Sequence, residues 1–141
     1  MKKILFIAML LAFTDALVAA QGKAPSAVTI AFNQKFPEAK NVHWDKENAH
    51  EYEASFVWNA SKYSANFSDS GEWLETESAI TFNQLPEKVQ AAFKAVNKAS
   101  TIKAVAKIET LKGKIKYEIE IKKGIKTTEF FYDSDGVVLK K

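Results

Sequence analysis

The sequence predicts an α+β fold of two tandem helix-plus-antiparallel-sheet repeats, with the helices on one face of the sheet. Three observations carry that expectation. The first is internal similarity: FSDSGEWL at 67–74 and YDSDGVVL at 132–139 register at an offset of 65, aligning Phe67 with Tyr132, Gly71 with Gly136 and Leu74 with Leu139. The second is a proline-led apolar stripe of helical period before each copy. The third is a set of period-two runs after each stripe, the pattern of half-buried strands.

The N-terminus comes first. Lys2 and Lys3 precede an almost unbroken apolar run at 4–13, and Val18-Ala19-Ala20 ends in small residues suited to signal peptidase. A transmembrane helix needs about 20 apolar residues, so residues 1–20 are expected to be a signal peptide with Gln21 as the new N-terminus. No cysteine follows the run, which excludes a bacterial lipid anchor, and no second apolar span appears later. A soluble protein, periplasmic or secreted, is expected. Residues 21–141 then form a single domain, with repeats at about 25–80 and 86–141.

Pro25 and Pro86 suit a first helical turn, where the missing N–H costs nothing. Val28, Phe32 and Phe36 form one stripe and Pro37 ends that helix; Val89, Phe93 and Val96 form the other. Thr81 and Gln84 have capping-box spacing ahead of the second helix. The helices align at an offset of 61, which places four extra residues of the second copy in a loop around 100–106. Short strands are expected at 42–45 and 107–110. Tyr52, Ala54, Phe56 and Trp58 then alternate with Glu51, Glu53, Ser55 and Val57, and Tyr63, Ala65 and Phe67 alternate with polar residues. Tyr117, Ile119 and Ile121 repeat the pattern. Asn59-Ala60 and Lys123-Gly124 fall at tight turns, and Gly71 and Gly136 at left-handed positions of three-residue loops.

Composition excludes several functions. With no cysteine, neither a thiol enzyme nor a cysteine-ligated metal site is available, and stability must come from packing. The net charge of +3 includes two signal lysines, which is no footprint for nucleic acid. All basic residues are lysines, so the bidentate guanidinium clamp for phosphate or carboxylate is missing. His43 and His50 lack a third and fourth metal donor. Asp69-Ser70-Gly71 and Asp133-Ser134-Asp135-Gly136 lack the later ligands of a calcium loop and read as turn formers. No nucleophile elbow, zinc-protease motif or phosphate loop occurs. No enzyme, metal or cofactor is expected.

Phe36-Pro37, Val42 and Trp44 form an F-P-x-A-x-x-V-x-W opening. A Tyr52-Glu53-Ala54 strand and an F-x-x-x-G-x-W-L-E-T-E ending at 67–77 follow it. In these features the chain resembles the PepSY-like, beta-lactamase-inhibitor-like family of exported bacterial proteins. The second copy has Asn97-Lys98 in place of Phe-Pro and lacks the tryptophans. The resemblance implies two repeats sharing one curved sheet, whose concave face grips a target enzyme in such inhibitors.

Trp44, Trp58 and Trp73 read as core, Trp73 opposite Phe67. Val57, Asn66, Leu74, Phe131 and Leu139 are then expected on the open face, with Leu74 opposite Asn66 and Leu139 opposite Phe131. Apolar residues there suggest a partner-binding surface. The expected function is an exported protein-binding module, able to act as an enzyme inhibitor, with another envelope or extracellular protein as partner. A periplasmic small-ligand carrier or sensor is the alternative, and an unfilled apolar pocket between helix and sheet would favour it.

Overall fold

The computed structural model describes residues 23–98 and 101–140. The expected signal segment at 1–20 lies outside them. Helix α1 (Ser26–Lys35) leads into strands β1 (Lys40–Lys46), β2 (Glu51–Trp58), β3 (Ser61–Ser68) and β4 (Trp73–Ala79). A 3-10 turn (Phe82–Gln84) and helix α2 (Glu87–Val96) follow. Strands β5 (Thr101–Thr110), β6 (Ile115–Lys123), β7 (Lys126–Tyr132) and β8 (Val138–Leu139) complete the chain. Among the described residues all eight strands form one antiparallel sheet in sequence order, so the fold is α+β.

Local chemistry sets the boundaries. Pro25 and Pro86 stand immediately before the two helices, where a missing N–H leaves no helical acceptor empty. Both helices end on a residue whose N–H still reaches a phenylalanine carbonyl, Phe36 to Phe32 and Asn97 to Phe93. The Thr81–Gln84 box caps the 3-10 turn rather than α2. Asn59 and Ala60 both adopt positive φ, 48° and 61°, the mirror-image turn that suits the twist of a two-residue hairpin.

Alternation along the strands sends one set of side chains under the helices. Val28, Phe32 and Phe36 pack with Ala54, Phe56, Ala65 and Phe67. The Phe32 ring meets Phe56 edge-on at 4.9 Å and Trp44 at 5.2 Å, a favoured aromatic geometry. Val89 and Phe93 pack with Val105, Ile119, Ile121 and Tyr132. Val96, expected in that stripe, is 70% exposed: it stands at the helix position of Lys35, and Asn97 holds the place that Phe36 takes in the first stripe.

The strand register corrects the location of the four extra residues. Asp45 pairs with Glu53 and Ala106 pairs with Glu118, so β5 keeps the offset of 61 while β6 has that of 65. Residues 101–106 of the segment expected to be a loop are therefore strand, and residue 100 lies outside the described residues. The additional residues lengthen the β5–β6 hairpin by two pairs, Ile108–Lys116 and Glu109–Ile115. A register shift falls between Lys40 and His43 in β1, and again between Ile102 and Ala104 in β5. The tight turn of the β6–β7 hairpin is Gly124-Ile125, one residue later than expected, because Lys123 pairs with Lys126.

Candidate functional site

Strand pairing builds the sheet face opposite the aromatic cluster rung by rung. Ala79, Ala106, Glu118, Phe131 and Leu139 form one rung across β4 to β8. Beside it run Glu77, Ile108 and Lys116 on one side, and Ala104, Glu120 and Glu129 on the other. In the first half, Asp45, Glu53, Asn66 and Glu75 make a fourth rung. In these rungs seven carboxylates are interspersed with six apolar side chains, Asn66 and Lys116.

Phe131 and Leu139 are direct cross-strand partners, as the sequence predicts. Asn66 stands between Glu53 and Glu75 and is 8% exposed. Val57 sits near the other end of β2, paired with Lys62 and Lys40, in a rung that contains neither Phe131 nor Asn66. Leu74 departs from expectation. Glu75, not Leu74, pairs with Asn66, because β4 carries a bulge after Trp73. Leu74 is the inserted residue, and its carbonyl accepts the Leu111 N–H at 2.7 Å.

That bulge decides the chemistry of the face. An unbroken alternation from Trp73, which packs in the first core, would send Glu75 and Glu77 into the core with it. One inserted residue turns both carboxylates to the open face. Two glutamates in phase with a core tryptophan were the available signal, and Glu75 and Glu77 are the site residues that sequence reasoning missed.

The carboxylates crowd one another in a partly desolvated setting. Burial, reinforced by Glu47, pushes Glu53 up to about 8, against a partial offset from the Ser64 hydroxyl. Burial pushes Glu77 up to about 7, helped by the charges of Glu75, Glu129 and Glu120. Glu75 is raised by burial although Lys116 lies 3.7 Å away, and Glu120 is raised by burial and by Glu129.

The histidines do not approach a common ligand. His43 lies 3.4 Å from Asp45, and His50 lies 2.9 Å from Asp69. Asp133 accepts the N–H groups of Asp135 and Val137, and Asp135 pairs with Lys88, so the aspartates of that loop hold the turn. Among the described residues no group of three or more His, Asp or Glu side chains is placed to hold a metal ion. No helix among them is long and apolar enough to cross a membrane.

The profile of the family described as beta-lactamase-inhibitor-like, PepSY-like matches residues 50–140. A candidate periplasmic protein of Bacteroides eggerthii superposes with a TM-score of 0.77 at 24% identity, covering 84% of this chain and 88% of that one. A DUF2874 family protein of Bacteroides ovatus gives 0.72 at 23% identity, covering 82% and 84%. A BLIP-like protein of Bacteroides fragilis gives 0.68 at 20% identity, covering 82% and 83%. At these identities the likeness concerns the fold. No curated protein sequence matches the chain.

Proposed function

This chain belongs to the PepSY-like, beta-lactamase-inhibitor-like family, and from that premise we propose that it is an exported, non-catalytic protein-binding module. It acts through the open sheet face on another envelope or extracellular protein, and inhibition of an enzyme is one form that action takes. Two tandem repeats, with both helices on the opposite side of the sheet, leave that face available. The repeated register shift and the repeated helix-to-sheet contacts support the tandem reading.

The observation that carries the proposal is the Phe131–Leu139 pair. A sheet face that meets only water has little use for two large apolar side chains side by side. At the centre of an interface they form a dry core that polar neighbours surround. The test is capture from envelope extract by wild-type protein and by Phe131→Ser with Leu139→Ser. The double variant should keep its thermal melt and lose the captured partner. Capture at wild-type strength by a folded double variant would place the interface elsewhere; an unfolded one would place both residues in the core.

A further inference from the structure

Between the C-terminal end of α2 and the β6–β7 hairpin lies a groove of about 300 Å³. Its lining combines apolar Val96, Ile121 and Phe130 with the exposed lysines Lys98, Lys123 and Lys126. Asn97 and Thr128 complete it, and among the described residues none of its lining is acidic. A volume of that order lies at the small end of ligand pockets.

The first half of the chain shows what this space is shaped to hold. At the offsets set by helix and strand pairing, Asn97 and Lys98 stand where Phe36 and Pro37 stand, Ile121 where Phe56, Lys123 where Trp58, and Thr128 where Tyr63. There the space is closed by aromatic rings. Phe36 is buried, with its ring 4.7 Å from Phe56 and 5.5 Å from Trp58. Trp58 lies 5.7 Å from Tyr63 and donates its indole N–H to the Pro37 carbonyl at 3.0 Å. In the second half the same backbone frame remains while every one of those rings is gone. Lysines replace Pro37 and Trp58, and they add positive charge at the rim.

We propose that this groove binds a small aromatic carboxylate. Its ring would take the place over Ile121 and Phe130 that the chain's own rings occupy in the other half. Its carboxylate would be held by charge-assisted hydrogen bonds from the lysines, worth more than neutral ones. Both parts contribute: a cation would meet like charge at this rim, and a neutral ring would leave the lysine contacts unused. The site is separate from the open sheet face and stands or falls independently of it.

Indole-3-acetate is a suitable probe, with neutral indole-3-acetamide as its control. Titration into the 15N-labelled protein should shift the amides of Asn97, Ile121 and Thr128 saturably. The acetamide should bind about tenfold more weakly, having lost the ionic contacts. Lys123→Ala with Lys126→Ala should weaken the acetate by a similar factor and leave the acetamide unchanged. Asn97→Phe with Lys123→Trp restores two rings of the first-half arrangement and should abolish the titration. No saturable shift, shifts centred elsewhere, equal affinity for both probes, or binding retained in the filled variant would each overturn the proposal. Shifts that follow protein concentration rather than ligand would assign the groove to a second copy and overturn it too. If the filled variant does not fold, the alanine pair and the acetamide comparison decide.

Discussion

Gly71 passes beneath helix α1 so closely that a Cβ on it would lie 2.6 Å from the carbonyl oxygen of Ala27. Gly136 meets α2 in the same way, 2.6 Å from the carbonyl oxygen of Lys88, and Ala27 and Lys88 are separated by the helix offset of 61. Each glycine lets its hairpin loop touch helix backbone, and so sets how near the helix sits to the sheet. Both also have positive φ, 87° and 80°.

Gly71→Ala and Gly136→Ala should therefore each cost more than about 2 kcal/mol, combining left-handed strain with a backbone clash. Gly124→Ala, at φ 64° with no atom of the described residues within 4 Å of the added Cβ, carries only the strain, about 1 kcal/mol. Urea melts of the three variants check the difference. Equal losses at all three would mean that helix contact contributes nothing.

Stability should fall as pH rises from 5 to 8. Glu77 and Glu53 have folded-state values of about 7 and about 8, above the ordinary 4.5. The folded protein thus holds protons that the unfolded chain has released. The associated stability is fully present below the unfolded value and is lost as pH rises through the folded ones. The expected loss between pH 5 and pH 8, taken over the two groups, is on the order of 6 kcal/mol. Glu77→Gln should flatten the profile, since a neutral amide has no charge to desolvate. Superimposable urea melts of the wild type at the two pH values would refute this.

Tyr132 is fully buried, and its hydroxyl has no hydrogen-bond partner among the described residues. The equivalent residue in the first half is Phe67, also fully buried. Tyr132→Phe should raise stability by about 1 kcal/mol, since an unsatisfied buried hydroxyl is removed with no loss of packing. A destabilised variant would reveal a partner for that oxygen.

Much of this molecule was legible in the sequence because the signals are local. A proline, an apolar stripe and a terminating proline specify α1 with no reference to the rest of the chain. Period-two alternation in β2 identifies its buried face, and glycine or asparagine marks the left-handed turns. The pairing of Phe67 with Trp73 and of Phe131 with Leu139 followed from loop length alone. Each of these depends on residues a few positions apart.

What remained hidden depends on partners distant in the chain. The bulge at Leu74 exists because β4 must keep register with β3 while turning Glu75 and Glu77 out of the core, and neither strand states that alone. The four residues by which the second half exceeds the first read in the sequence as a loop beside α2. Only pairing between β5 and β6 moved them to the far hairpin, since alternation has the same phase after a shift of four. Crowding of glutamates from β2, β4, β6 and β7, and the groove left where the second half lacks its rings, are likewise properties of assembled strands. The sequence by itself determined the elements and their inward faces, because backbone preference and alternation act over a single turn or hairpin. The tertiary structure alone decided which side chains share a surface, because that depends on the register of strands far apart in the chain.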